Sequence, residues 1–177
     1  MATKQVDTQD KNGARRITPR QWSGNLFSNK GPIARFFKMG REARKLATEG
    51  LHLKSSGNLQ GAFIKFQLAA SKEGDPGFNA DLHEVAADTM VEIAGVYLEV
   101  SKKNPCLLDA AAEYRCAALK RTEIDEEKAA RLYGLAGNLS QQAGAPNLAK
   151  NDFQSAYDLT SKQSLRTWLR AQMAAAK

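Results

Sequence analysis

Residues 47–70 read ATEGLHLKSSGNLQGAFIKFQLAA, and residues 137–156 read GNLSQQAGAPNLAKNDFQSA. In the first, Gly50, Leu53, Gly57, Ala62, Phe66 and Ala69 stand at offsets 0, 3, 7, 12, 16 and 19. In the second, Gly137, Gly144, Ala149, Phe153 and Ala156 take offsets 0, 7, 12, 16 and 19, and only Ser140, at offset 3, departs from the set. Such spacing describes a helical hairpin. A small residue on the first helix lets the second approach, a glycine supports the tight turn, and Ala, an aromatic and Ala form the packing stripe of the second helix.

The chain from Arg41 onward is rich in Ala and Leu and poor in β-branched residues, with no window alternating at period two. Helix is the only regular structure supported, so the class is all-α. Breaks fall at Ser55-Ser56-Gly57, Gly74-Asp75-Pro76-Gly77, Lys103-Asn104-Pro105, Arg121-Thr122 and Gly144-Ala145-Pro146. Asn104 followed by Pro105 reads as an N-cap with an N1 proline, and Pro146 stands where another helix should begin. Thr122 to Asp125 resembles a capping box with a shorter acid, and Glu126 and Glu127 complement the dipole of the next turn. The expected helices are about 41–55, 58–72, 80–102, 105–120, 124–143, 146–159 and 162–175, joined by short turns as antiparallel neighbours.

Between the two matching segments, Ala110, Tyr114 and Ala117 repeat the second-helix stripe, with Ala94 and Tyr97 as first-helix partners. One added helical turn in the middle hairpin absorbs the longer spacing from Ala94 to Ala110. Together these residues resemble a degenerate tetratricopeptide (TPR) repeat over about 43–160, as three hairpins. An irregular all-helical bundle is the competing architecture. The resemblance implies a short solenoid of stacked antiparallel hairpins over 41–177, its concave groove lined by first-helix side chains. By position these are Arg44, Leu51 and Lys54, then Asp88, Val91 and Gly95, then Arg131, Gly134, Asn138 and Gln141. Ala47 and Leu51 stand where carboxylate-clamp members of that family carry Lys and Asn, which argues against a chaperone-tail ligand. The final helix places Leu165, Trp168, Leu169 and Met173 on one face and Lys162, Arg166 and Arg170 on the other, as a terminal cap should.

The formal net charge of +7 is unevenly placed. Residues 1–45 hold eleven Lys/Arg against Asp7, Asp10 and Glu42, a net of +8, whereas 46–177 hold fifteen against sixteen, a net of −1. Residues 1–40 form a basic N-terminal arm, expected to be disordered or extended alone in water, with a short helix at 32–39 started by Pro32. Arg15, Arg16 and Arg20 suit phosphates or carboxylates, and Trp22 and Phe27 suit anchoring pockets. A flexible solubilising extension and a transit peptide are the alternatives, the second opposed by Asp7 and Asp10.

Chemistry-bearing motifs are scarce. Cys106 and Cys116, ten residues apart on one expected helix, should be about 15 Å apart, too far for a disulfide. No CxxC or HxxxH spacing for zinc, nucleophile elbow, dinucleotide fingerprint or P-loop occurs, and the Glu123–Glu127 acids suit a helix start better than a catalytic pair. We therefore expect no enzyme activity, metal or cofactor, and a reducing intracellular location such as the cytoplasm, with organellar import left open. The expected function is a non-catalytic adaptor or assembly factor that binds protein partners through the groove and the arm. Nucleic-acid or ribonucleoprotein association through the arm is the alternative, followed by a secretion-type chaperone. Membrane attachment is not expected, because 32–39 is too short an amphipathic piece.

Overall fold

The computed structural model describes residues 40–176, and every regular element among them is an α-helix. In order these are α1 (Arg41–Ser55), α2 (Leu59–Lys72), α3 (Pro76–Val96), α4 (Val100–Arg121), α5 (Glu126–Gln142), α6 (Pro146–Leu159) and α7 (Gln163–Ala175). Each packs chiefly against the helix before it and the helix after it. The expected short helix at 32–39 and the arm residues Arg15, Arg16, Arg20, Trp22 and Phe27 lie outside the described residues.

The α1–α2 and α5–α6 hairpins are built alike. Gly57 and Gly144 occupy the left-handed region, with φ of 83° and 76°. Around Gly57, Gly57 N–H donates to Lys54 O at 3.1 Å and Asn58 N–H to Leu53 O at 2.9 Å; around Gly144, the matching bonds run to Gln141 O at 3.0 Å and from Ala145 N–H to Ser140 O at 2.9 Å. Both turns are thus Schellman closures with glycine at the left-handed position. Under each turn the second-helix aromatic lies on the first-helix glycine. A Cβ on Gly50 would stand 2.8 Å from the Phe66 ring, and one on Gly137 would stand 2.5 Å from the Phe153 ring. Both rings are fully buried, which contributes about 1.5–3 kcal/mol each.

The middle pair differs from the expected boundaries at both ends. Helix α3 starts at Pro76 rather than near 80, because Asp75 Oδ1 accepts from Phe78 N–H at 3.0 Å and Pro76 takes the first helical position. It ends at Val96, directly after Gly95, not at 102. Helix α4 then begins at Val100, so Asn104 and Pro105 lie inside it rather than capping it. Pro105 sits in the second turn, where its missing N–H forfeits only a bond to the carbonyl of exposed Ser101. The start of α5 differs as well. Asp125 is the N-cap, accepting from Lys128 N–H at 2.9 Å, while Thr122 Oγ1 turns back to donate to Ala118 O.

The largest core cluster lies where α3, α4 and α5 meet. Ala94, Ala110, Tyr114 and Ala117 are buried in it with Met90, Ile93, Leu107, Leu132 and Leu139, and Tyr97 packs half-buried at its edge. Alanines fill much of the contact, which draws the helix axes together. At the far end, Leu169 of α7 is fully buried against Ala149, Phe153 and Ala156, and Leu165 and Met173 pack beside it. Trp168 meets Phe153 edge-on, ring centroids 5.8 Å apart.

Candidate protein-binding face

Helix α3 carries Asp81, Glu84, Asp88 and Glu92 and no Lys or Arg. Spaced by three, four and four residues, the four acids lie on one face of the helix. Helices on both sides reach for that face. From α1, Lys54 Nζ lies 2.9 Å from Glu92 Oε1 and donates to Thr89 Oγ1 at 3.3 Å. From α5, Lys128 Nζ lies 2.6 Å from Glu84 Oε1 and 3.6 Å from Asp81 Oδ1. The first helix of each hairpin is therefore tied to the first helix of the next.

Arg121 of α4 closes the network from beneath, donating from Nη2 to Asp81 Oδ1 and placing Nε 3.7 Å from Glu84 Oε1. Glu84 is buried, and desolvation raises its carboxyl pKa against the opposing pull of Lys128. Burial also raises the Asp88 carboxyl, which accepts from the Tyr114 phenol. The phenol is pushed up in turn, first by burial and then by Asp88, so it stays the donor. Tyr114 is thus the aromatic of the middle hairpin, but its hydroxyl is spent on α3.

Second helices are linked over the same interval. Gln67 of α2 donates to Glu113 Oε1 of α4 at 2.7 Å, and His83 Nδ1 donates to the other oxygen at 2.6 Å. Arg115 of α4 donates from Nε to Asp152 Oδ1 of α6 at 2.8 Å and from Nη2 to Ser140 Oγ at 3.0 Å. Ser140 Oγ in turn donates to Asp152 Oδ2 at 3.2 Å. Ser140, the one departure from the paired pattern, is the buried hydroxyl that completes this triad.

Of the ten groove positions expected from the sequence, Lys54 and Asp88 are brought together in the Lys54–Glu92–Asp88 cluster. Val91 and Gly95 share the acid-bearing face of α3, half-buried and exposed respectively. Leu51 is 43% exposed beside Lys54. On α5, Arg131 is exposed, and Asn138 and Gln141 are half-buried. Gly134 is buried, with the Trp168 ring 3.6 Å from where its Cβ would stand, so its space is taken by α7. Arg44 shares the side of α1 that bears Leu51 and is half-buried. Sequence reasoning missed Glu92, Thr89 and Lys128; the signal was the acid spacing along 81–92 with no intervening cation.

Among the described residues, no group of three His, Cys, Asp or Glu side chains is placed to hold a metal, and no helix is long and apolar enough to cross a membrane. Cys106 and Cys116 are both free thiols on α4. Comparison of the chain with protein-family models, with curated proteins and with solved structures found no match.

Proposed function

We infer that this chain is a non-catalytic adaptor or assembly factor whose helical body is a short TPR-like solenoid. The observation that carries this reading is the double tie to α3, Lys54 from α1 and Lys128 from α5. On this reading the tie holds the first helices α1, α3 and α5 along one side of the body as a wall. The ring-over-glycine contact repeated at Phe66 and Phe153 supports the same reading. Leu51, Gly95, Asn138 and Gln141 stand on that wall and take no part in its ion pairs, and with the outer edge of Val91, whose inner side packs on the core, they are proposed to meet an extended or helical segment of a partner protein. In this account α7 covers the last hairpin as a cap, and the site of action is a reducing intracellular compartment.

The basic arm supplies a second contact, with Trp22 and Phe27 as anchors and Arg15, Arg16 and Arg20 around them. Two modest sites on one chain raise overall affinity through effective concentration. The test is complex formation by the chain lacking residues 1–40 and by Trp22→Ala and Phe27→Ala variants. Each is expected to assemble more weakly than the full chain, and unchanged assembly in all three would remove the arm from the account.

A further inference from the structure

Helix α7 contains Arg166 and Arg170 and no acid. Both guanidinium groups are gathered on one aromatic ring of α6: the Arg166 and Arg170 Cζ atoms lie 5.2 and 5.1 Å from the Tyr157 centroid. Arg166 is further fixed by donating from Nε to Thr160 O at 2.8 Å, and Arg170 donates from Nη2 to the Tyr157 hydroxyl. Neither arginine forms a salt bridge among the described residues. The nearest acid in sequence, Asp158, is occupied in accepting from Gln154 at 2.8 Å. One turn before Arg166, Lys162 extends the same line, with Nζ 3.7 Å from Glu127.

Arg166 stands in the first turn of α7 and Arg170 at its middle, with no base in the last turn, so the helix dipole does not account for two arginines held on one phenol. Stacking and the bond to Thr160 O restrict the two side chains in advance, so less rotamer entropy is lost when an anion arrives. Arg166 keeps its terminal N–H groups and Arg170 most of its fork, a geometry suited to the paired oxygens of phosphate. Lys162, Arg166 and Arg170 rise about 6 Å from one to the next. Such a line suits anions that recur along a chain more than a single carboxylate. We propose that Arg166 and Arg170, ordered by Tyr157, form a contact for the phosphate backbone of a single-stranded nucleic acid. This site is on the helical body, whose charge beyond residue 45 is close to neutral, and none of its residues belongs to the basic arm.

The test uses the full chain and a fluorescent, mixed-sequence single-stranded oligonucleotide, with titrations at several salt concentrations. The Arg166→Gln/Arg170→Gln chain is compared with the unmodified one, and helicity is checked by circular dichroism. For single strands the salt slope is about 0.7 per phosphate contact, so losing two contacts should reduce it by about 1.4 and weaken binding. Affinity and slope unchanged in the double variant would overturn the proposal. So would equally tight, equally Arg166/Arg170-dependent binding of poly-glutamate or of phosphatidylserine vesicles. On the unmodified chain, phenylglyoxal labelling of Arg166 and Arg170, read by mass spectrometry, should fall when the oligonucleotide is added. Equal labelling with and without it would also overturn the proposal, whatever the folding of the double variant.

Discussion

The ring of Phe153 comes within 2.5 Å of the point where a Cβ on Gly137 would stand, and Phe66 stands in the same relation to Gly50 at 2.8 Å. Neither ring can withdraw, because both are fully buried. Adding one methyl group therefore forces the helices of the hairpin apart.

Gly137→Ala and Gly50→Ala should each destabilise the fold by about 1–3 kcal/mol, despite the better helix propensity of alanine. Gly95→Ala is the control, since nothing lies within 4 Å of its missing Cβ. It should be neutral or stabilising by up to about 1 kcal/mol. Denaturant midpoints of the three variants check this. A Gly137→Ala chain as stable as the Gly95→Ala chain would mean that the close contact is absent.

Restoring the pattern at its one exception should do harm. Ser140→Leu would match Leu53 of the first hairpin, yet it deletes the hydroxyl between Arg115 and Asp152. Asp152 is buried, and desolvation raises its carboxyl pKa even with Arg115 bonded to it. The substitution should cost about 1–3 kcal/mol through overpacking and an unsatisfied buried group. Equilibrium unfolding measures it, and a gain in stability would contradict the triad.

These two cases show which features could be read in the sequence. Turn glycines, ring-bearing stripes and small residues act within one hairpin, so their offsets are local and visible. The ties between hairpins join residues 35 positions apart at Lys54 and Thr89 and 46 apart at Gln67 and Glu113. No local period points to such pairs. Asn104–Pro105 misled because proline is commonest at a helix start, whereas α4 begins five residues earlier and carries Pro105 in its second turn, and the cap signal operates at Asp75–Pro76 instead.

Glu127 makes the start of α7 sensitive to acid. Its carboxylate accepts from the Ser161 backbone N–H at 2.8 Å, from the Ser161 hydroxyl at 2.9 Å and from Thr160 Oγ1 at 3.0 Å. These bonds, led by the Ser161 N–H and aided by Lys162, lower its pKa to about 2. A folded-state value below the ordinary carboxylate one contributes stability at neutral pH, and that contribution is lost as pH falls from about 4.5 towards 2. In a Trp22→Phe background, Trp168 emission should report loosening of α7 over this window. Glu127→Gln, which keeps an acceptor but no charge, should loosen α7 at neutral pH and lose that part of the titration. Identical profiles would show that Glu127 does not hold α7.

The tie between first helices should respond to charge removal from either side. Lys54→Met leaves Glu92 without its cation, and Lys128→Met leaves buried Glu84 facing only Arg121. Breaking the more buried pair should cost more, up to about 3–5 kcal/mol, against about 0–1 kcal/mol for the half-exposed Lys54 pair. Thermal or denaturant unfolding of the two variants gives the ranking, and the reverse order would contradict it.

The most direct test of the binding face is site-specific photo-cross-linking in native extract. A photoreactive amino acid replaces Leu51, Val91 or Gln141 on the α1, α3 and α5 wall, or the exposed Ile64 of α2 and Leu148 of α6 as outer controls. A shared partner protein should be cross-linked from the three wall positions and not from the two controls. That adduct should be lost when Gly95→Asp, exposed on the same wall, is introduced into a chain carrying the probe at Leu51. Cross-linking of the same partner from Ile64 and Leu148 but not from the wall would contradict this binding face.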